Sequence, residues 1–567
     1  MSAQPSLQLK TKTDIRFVDD PSVADVTMQL RGGVFSLKTH AMDGVKGQVI
    51  HEAIERTKDA LTVSYKGERF YDSVHVEAYM DTLHDLYFAR GAGSVFLGYL
   101  SRFAEENRVV INVFNDRSAV SAPGVYGSDS IFLNPDFKPR PAQKYVVDAL
   151  IHRLKTVKSK RQYSRLGGVI MLPTGGGKTE TAMYIGARMV EDGITSRYPK
   201  TLILVPNKNL VNGWKQRIEQ GHCLLDDGYS PKVITRLSTR ARGFDKANFC
   251  VTTYQSLMNI TPEKEEALRH FSMTVCDECH KVGASEMIMA AMQSRSLFTI
   301  GLSATPERSD NAHKLFRYLF PATDKPIEPP LEIRNNGVVP VDYYIINYDK
   351  SAPYINDALR NINEHFMWKQ GYETRISKDG ERMSHIAALA VQTVRSTGKT
   401  IVFCSRKKEA DTIGQILSEF FHADVTVAHG SKRKKIADVT SDILVTTKSY
   451  AGEGVDTKDY DVVISTFPMT RRSINMLKQC IGRVRREREG KDFGEVYVIT
   501  DTGSEYHLPK NASRASLRAL INEGGIIRDA YEIEMDEVVE TGLDQDIQES
   551  LNDALLSIKD EHNFSPV

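Results

Sequence analysis

A glycine-rich segment near residue 175 has the composition of a phosphate-binding loop. It consists of Thr174, Gly175, Gly176, Gly177, Lys178 and Thr179, between an apolar run and a helix-like segment that continues to about residue 189. Successive glycines let backbone N–H groups approach phosphates closely, and a helix N-terminus favours an anion. We expect Lys178 to reach the β- and γ-phosphates of ATP and Thr179 to bind Mg²⁺, although Leu172 stands where the strict pattern has glycine. A turn that merely connects a strand to a helix is the alternative.

An acidic pair, Asp277 and Glu278, ends a second apolar run about a hundred residues later. Phosphoryl transfer needs a metal ion and an attacking water held beside the phosphates. We expect Asp277 to hold Mg²⁺, directly or through water, and Glu278 to orient or deprotonate the hydrolytic water. Ordinary solvated turns also carry such pairs, but the position downstream of a phosphate-binding loop favours the catalytic interpretation.

The same residues lie within Cys276-Asp277-Glu278-Cys279-His280, which has the C-x-x-C-H spacing of haem attachment. The chain has six cysteines, too few for a disulfide framework, and no second C-x-x-C pair that would complete a zinc site. The nucleotide interpretation therefore explains this segment better than haem or zinc.

Short apolar runs that alternate with amphipathic segments indicate two consecutive α/β domains with parallel sheets. The expected strands are residues 168–172, 201–205, 249–253, 273–276 and 298–302, then 400–404, 425–427, 442–446, 462–465 and 495–499. Clustered prolines at residues 321–330 favour a linker between the domains. We expect a small α/β N-terminal domain (1–125), two larger α/β domains (126–325 and 326–505) and a helical, acidic C-terminal extension (506–567). Residues 80–105 look helical, 109–114 extended, and Trp214 and residues 316–320 are expected to pack in a core.

The charge distribution favours a polyanionic partner more than the net charge does. The chain carries +1 overall, yet residues 532–561 hold eleven acidic side chains and one basic, which leaves about +11 elsewhere. Such a tail could shield the basic body or recruit a protein partner. No run is long and apolar enough to span a membrane, so we expect a cytoplasmic protein. We also expect the protein to be a monomer.

The chain resembles the superfamily 2 helicases, and the matching motifs follow one another in the order of that family. Residues 277–280 resemble the D-E-x-H box of that family, and Gln143 matches the glutamine that reads adenine. Further matches are residues 205–210, 252–257, 303–305, 401–406, 452–456 and 479–486, so the resemblance spans about residues 137–500. The Leu-Pro start of the loop is most similar to the UvsW and XPB branch. The resemblance implies that the two larger α/β domains are the RecA-like motor domains of that family.

The resemblance also implies roles for individual residues. The nucleotide site would add Arg140, Gln143, Gly454 and Asp456 to the loop residues. The catalytic set would consist of Lys178, Asp277, Glu278, Gln479, Arg483 and Arg486, with the arginines stabilising the γ-phosphate. Coupling would run through His280, Ser303, Ala304 and Thr305. Nucleic acid would contact Pro206, Asn207, Lys208, Thr253, Gln255, Ser405, Arg406, Thr447 and Ser449.

The function implied by this resemblance is that of an ATP-dependent DNA helicase or translocase that remodels branched duplex DNA during recombination, repair or replication. Three alternatives remain open: an RNA helicase, the motor subunit of a restriction system, and an ATP-gated protein that anneals or clamps strands. Comparing the stimulation of ATP hydrolysis by DNA and by RNA would distinguish a DNA helicase from an RNA helicase.

Overall fold

The computed structural model describes twenty-five strands and thirteen helices of the chain. The described residues are 14–17, 26–31, 34–39, 44–66, 73–77, 79–81, 86–89, 95–97, 100, 110–115, 127–157, 166–173, 175–280, 285–304, 315–320, 325–334, 338–349, 373–430, 440–447, 460–468, 481–482, 484–485, 490–502, 508–522 and 526–562. The chain divides into two compact units, with the main boundary between Pro330 and Leu331.

The N-terminal part of the first unit is built on a mixed six-stranded sheet in the order β1-β8-β2-β3-β7-β6, with a separate antiparallel pair, β4 and β5. The strands are β1 (Asp14–Phe17), β2 (Val26–Arg31), β3 (Val34–Thr39), β4 (Thr62–Lys66), β5 (Ser73–Glu77), β6 (Tyr79–Asp81), β7 (Leu86–Ala89) and β8 (Val110–Asn115), and the helix is α1 (Gly44–Ala60).

The helical expectation for residues 80–105 is wrong over its first part, where β6 and β7 lie. β7 pairs antiparallel with β3, which places Phe88 opposite Phe35. The Phe88 side chain is fully buried. Aromatic residues pack well on a pleated, half-buried surface, so the sheet contact outweighs the local helix-like pattern.

A parallel six-stranded sheet forms the centre of the rest of the first unit, in the order β11-β18-β17-β13-β16-β15. Its strands are buried on both faces, which explains their nearly continuous apolar runs. The strands are β11 (Leu166–Met171), β13 (Thr201–Val205), β15 (Val233–Ile234), β16 (Phe249–Thr253), β17 (Met273–Asp277) and β18 (Phe298–Ser303). Two antiparallel pairs lie beside it: β9 (Gly127–Ser128) with β12 (Tyr198–Pro199), and β10 (Ile131–Leu133) with β14 (Leu224–Asp226).

Most helices of this region connect strands as crossovers, whereas the first helix precedes the parallel sheet and the last follows it. The helices are α2 (Pro141–Val157), α3 (Lys178–Glu191), α4 (Lys208–Glu219), α5 (Pro262–Leu268), α6 (Ser285–Gln293) and α7 (Phe316–Leu319), with a 3₁₀ turn at Tyr254–Leu257. The segment 316–320 is mostly buried, as its expected core position requires.

The register of the sheet brings the ends of three strands to one edge. Met171 at the end of β11 pairs with Ser303 of β18, and Asp277 at the end of β17 pairs with Leu302. Because parallel strands share their direction, the glycine-rich loop and the acidic pair both follow strand ends at this edge.

The second unit contains a parallel seven-stranded sheet in the order β21-β22-β20-β23-β24-β19-β25. Its strands are β19 (Val341–Tyr348), β20 (Thr400–Cys404), β21 (Val425–Ala428), β22 (Ile443–Thr447), β23 (Val462–Ser465), β24 (Gly494–Asp501) and β25 (Ile527–Glu534). Its helices are α8 (Leu331–Arg334), α9 (Gly380–Ser396), α10 (Lys407–Glu419), α11 (Leu508–Asn522), α12 (Met535–Thr541) and α13 (Gln545–His562). The expectation of two consecutive α/β domains with parallel sheets is confirmed.

The C-terminal extension is not helical throughout, because β25 interrupts it. This strand pairs in parallel with β19 and forms one edge of the second sheet. The helix α13 then packs against α9 through buried Ile547, Leu551 and Ala554. The acidic segment is therefore part of the folded second unit. Of the helices that the structure describes, none has both the length and the apolar run that a membrane span requires.

Candidate nucleotide site

The glycine-rich loop adopts backbone conformations that favour glycine. Gly175 and Gly177 have φ angles of 82° and 78°, a left-handed region that costs other L-residues roughly 1–2 kcal/mol. Lys178 begins α3 directly after Gly177, and no side chain caps this helix start. The first backbone N–H groups of α3 therefore have the arrangement that binds phosphate at a helix N-terminus.

Gln143 is tied to this loop. Its side-chain Nε2 donates to the carbonyl oxygen of Gly177 over 3.0 Å, and its Oε1 accepts the backbone N–H of Arg140 over 2.8 Å. A Cβ atom on Gly177 would lie only 2.3 Å from Nε2 of Gln143. The glutamine that was expected to read adenine thus also supports the loop that would hold the phosphates.

Lys178 and Glu278 form an ion pair, with 2.8 Å between Nζ and Oε1. Burial acts to raise the pKa of Glu278, but the Lys178 ammonium and His280 hold that pKa well below its usual range. Burial acts in the opposite direction on Lys178, whose pKa is nevertheless raised by Glu278 and Asp277. Both groups are consequently charged at neutral pH.

Glu278 lies in a strained turn. Its φ of 47° is in the left-handed region. The second carboxylate oxygen, Oε2, lies 3.3 Å from Nδ1 of His280, and that nitrogen lies 3.1 Å from Oγ of Ser303. Strained backbones of this kind persist where surrounding contacts fix them, and they cluster at active sites. Two of the four residues expected to couple the sites, His280 and Ser303, are in direct contact.

Asp277 is 5% exposed, and three groups hold it. Its Oδ1 accepts the backbone N–H of Glu278 over 2.9 Å, and its Oδ2 accepts Nε1–H of Trp214 over 2.7 Å. The hydroxyl of Tyr254 donates to its backbone carbonyl over 3.0 Å. Burial, followed by the neighbouring Glu278 carboxylate, raises the pKa of Asp277.

The residues around the loop fit a nucleotide with a magnesium ion. Thr179 at the start of α3 and Asp277 at the end of β17 supply the oxygen ligands that Mg²⁺ prefers. Within the described residues, no group of three or more His, Cys, Asp or Glu side chains is placed to hold a metal.

The segments expected to contact nucleic acid in the first unit lie at strand ends. Asn207 caps α4, since its side chain accepts the N–H of Leu210 over 3.1 Å. Lys208 and Gln255 are exposed. Pro206 is buried and Thr253 half-buried, so among the expected contact residues of this unit Lys208 and Gln255 have the most exposed side chains.

In the second unit, the expected contact residues are less exposed. Ser405 is buried, and both its N–H and its hydroxyl donate to Oε2 of Glu409 over 2.8 Å. Arg406 is half-buried and lies 3.3 Å from the hydroxyl of Thr374. Thr447 is buried at the end of β22. The Ser405 hydroxyl thus has an intramolecular role in fixing the start of α10.

Eight of the expected site residues lie outside the part of the chain that the structure describes: Thr174, Thr305, Ser449, Gly454, Asp456, Gln479, Arg483 and Arg486. Arg140 and Ala304 are both half-buried. The described members of the nucleotide set, from Gln143 to Glu278, belong to one connected site.

The sequence did not indicate three residues that contact the expected site residues. Trp214 and Tyr254 contact Asp277 in the first unit, and Glu409 contacts Ser405 in the second unit. Trp214 was expected to pack in a core, and Tyr254 and Glu409 were not singled out. A buried indole or phenol requires a polar partner, and an acidic pair nearby in the sheet was a candidate for it. Glu409 stands four residues after Ser405, the spacing of a side chain that reaches back to a helix start.

Two family models match the chain. The model for the res subunit of type III restriction enzymes matches residues 136–308, and the model for the helicase conserved C-terminal domain matches residues 381–488. The first match contains Gln143, the glycine-rich loop and the D-E-C-H segment. The second contains Ser405, Arg406 and Thr447.

Individual proteins similar to this chain have low sequence identity to it. A protein of Acanthamoeba polyphaga mimivirus named ATP-dependent RNA helicase L396 is 25% identical over 384 residues, which are 66% of this chain and 66% of that protein. The DNA 3'-5' translocase XPB2 of Sulfurisphaera tokodaii is 23% identical over 416 residues, which are 66% of this chain and 87% of that protein. Among solved structures, T4 UvsW shares 14% identity with a TM-score of 0.32, over 90% of this chain and all of that one.

Proposed function

We propose that this chain, which belongs to the superfamily 2 helicases and is an ATP-hydrolysing enzyme acting on nucleic acid, acts on DNA and remodels branched duplexes. The reactions in view are branch migration, fork regression and unwinding of R-loops. The observation that carries the enzymatic part of the proposal is the ion pair of Lys178 and Glu278 beside Asp277, in front of the uncapped start of α3.

In this proposal each residue has one task. The N–H groups of the loop and Lys178 hold the phosphates, and Glu278, freed from Lys178, orients the attacking water. Thr179 and Asp277 would hold Mg²⁺, which neutralises charge on the transferred phosphoryl group. Arg483 and Arg486 enter through the family resemblance alone; arginines in this role stabilise the charge of the transition state by about 10³–10⁵ in rate.

The preference for DNA is supported by the length of one similarity. The match to the DNA translocase XPB2 covers 87% of that protein, whereas the match to RNA helicase L396 covers 66% of its length. The match to RNA helicase L396 makes an RNA helicase the competing function. A restriction-system motor would predict cleavage of plasmid DNA in the presence of ATP and Mg²⁺.

Steady-state ATP hydrolysis tests the proposal. The rate is measured without nucleic acid and with single-stranded DNA, duplex DNA, a fork, a four-way junction and matched RNA, with Glu278→Gln as the blank. We expect the strongest stimulation with branched or duplex DNA and displacement of a labelled strand from the same substrates. Stimulation by RNA alone would overturn the DNA assignment and leave the ATPase assignment in place.

The proposal includes a monomeric protein that works in the cytoplasm of a bacterial or phage-infected cell, with its acidic C-terminal segment available to a protein partner. Light scattering at working concentration tests the monomer. A protein mass of twice 63.6 kDa in the complex, after the mass of the added DNA is subtracted, would contradict it.

A further inference from the structure

Asp277 is held by two segments other than its own. The indole Nε1–H of Trp214 donates to its Oδ2 over 2.7 Å, and the hydroxyl of Tyr254 donates to its backbone carbonyl over 3.0 Å. The remaining carboxylate oxygen accepts the N–H of the next residue, Glu278. The orientation of the Asp277 carboxylate is therefore set largely by Trp214.

All three of these residues are buried. Trp214 is 2% exposed and Tyr254 is 1% exposed. Hydrogen bonds to a charged acceptor in a site that excludes water are stronger and shorter than neutral ones. A phenylalanine at position 214 or 254 would keep most of the packing while removing the bond, and water has little access to replace the lost donor.

The two donors belong to the segments expected to contact nucleic acid. Trp214 lies on α4, six residues after the exposed Lys208, which is about 9 Å along the helix axis. Tyr254 begins the 3₁₀ turn and stands between Thr253 and the exposed Gln255. A shift of either segment on binding a strand would move a donor that is bonded to Asp277.

We propose that Trp214 is a positioning residue for Asp277, and that with Tyr254 it couples occupancy of the nucleic-acid segments to the ATP site. The ATPase activity is that of the family; the coupling rests on the proposed nucleic-acid contacts of residues 206–208 and 253–255. Trp214 fixes the orientation of the Asp277 carboxylate, and Tyr254 fixes the position of the Asp277 backbone carbonyl.

The test compares Trp214→Phe and Tyr254→Phe with a matched control, Tyr198→Phe. Tyr198 is also buried in the first unit and donates its hydroxyl to a backbone carbonyl, that of Met183, over 3.1 Å. The readout is the Kd of a fluorescent ATP analogue with Mg²⁺, with and without saturating nucleic acid, in the Glu278→Gln background so that no turnover occurs. Thermal unfolding establishes that each variant is folded.

We expect nucleic acid to change the analogue Kd in the parent and in Tyr198→Phe by the same factor. In Trp214→Phe that factor should fall toward one, and in otherwise wild-type protein kcat should fall about tenfold, as the loss of one charge-assisted hydrogen bond implies. A folded Trp214→Phe variant with the parent's coupling factor and kcat would overturn the inference. If DNA leaves the parent's analogue Kd unchanged, the assay is repeated with RNA, since that result concerns the proposed substrate; a parent that responds to neither would also overturn the coupling.

A second readout follows the indole itself. The sequence contains only one other tryptophan, Trp368, so Trp368→Phe leaves Trp214 as the sole tryptophan. We expect its fluorescence to change when Mg²⁺ and ADP are added, and to change again with nucleic acid. A fluorescence that responds to neither addition, in a protein that binds both, would contradict the positioning role.

Discussion

The side-chain amide of Gln143 donates to the carbonyl oxygen of Gly177, with 3.0 Å between the two atoms. The other end of the same amide is held by the backbone N–H of Arg140. Substitution of a residue that only recognised adenine would weaken ATP binding and leave GTP binding unchanged. Substitution of a residue that supports the phosphate loop would weaken the binding of every nucleotide. The geometry favours the second effect, because the contact is made to the loop.

Substitution of Gln143 separates these effects. We expect Gln143→Ala to weaken binding of both ATP and GTP by about tenfold, the cost of one or two hydrogen bonds at a buried site. The measurement is the Kd of each nucleotide by calorimetry. Gln143→Glu is the control, since it keeps the acceptor for Arg140 and loses the donor to Gly177, and it should resemble the alanine variant. A loss confined to ATP would assign Gln143 to base recognition.

The ion pair of Lys178 and Glu278 predicts opposite effects on nucleotide binding. Glu278→Gln frees the lysine, so we expect ATP to bind about fivefold more tightly for a pair worth about 1 kcal/mol, while turnover falls at least about 10²-fold. Lys178→Ala should lose both binding and turnover. Fluorescent-nucleotide titration and steady-state hydrolysis measure the two quantities. Weaker binding in Glu278→Gln would mean that the pair does not compete with the phosphates.

The sequence predicted the parallel strands well because buried strands consist of compact apolar runs, such as Thr201–Val205 and Thr400–Cys404, whose bounds match the structure. It could not predict β25. Ile527–Glu534 carries four charged residues and is mostly exposed, so nothing in its own pattern indicates a strand; pairing with β19, almost two hundred residues earlier, creates it. The bond from Trp214 to Asp277 was hidden for the same reason, since 63 residues separate the two.

Glu532 links the C-terminal strand to its surroundings in a pH-dependent way. Partial burial acts to raise its pKa, but hydrogen bonds from Asn347, Arg514 and Lys510 hold that pKa at about 2. Because the folded pKa is below the ordinary value of 4.5, the stabilising contribution is complete above the ordinary value and is lost as the pH falls toward 2.

We therefore expect the urea midpoint of Glu532→Gln to lie below that of the wild type at pH 7, and the gap to stay constant down to about pH 5. Between that pH and about 3 the gap should shrink. Glu540→Gln, at an exposed position of α12, is the control and should show no gap at any pH. A gap that widens in acid would reverse the assigned direction of the pKa shift.

The acidic C-terminal helix α13 is attached to the second unit by its apolar face. Leu551 is 1% exposed and lies in a cluster with Ala388, Leu543 and Ile547, whereas Leu556 of the same helix is 62% exposed. We expect Leu551→Ala to lower the free energy of unfolding by about 2–5 kcal/mol and Leu556→Ala to change it by less than about 0.5 kcal/mol, both measured by urea unfolding.

This pair also determines how the acidic segment should be studied. If Leu551→Ala unfolds the second unit, then truncation after residue 530 removes half of β25 together with α12 and α13, and any change in DNA binding by the truncated protein reports lost structure. Charge effects would then have to be tested by substituting exposed acidic residues such as Glu540 and Glu549. Equal stability of Leu551→Ala and Leu556→Ala would show that α13 does not contribute to the second core, and truncation would again be a valid test of the acidic tail.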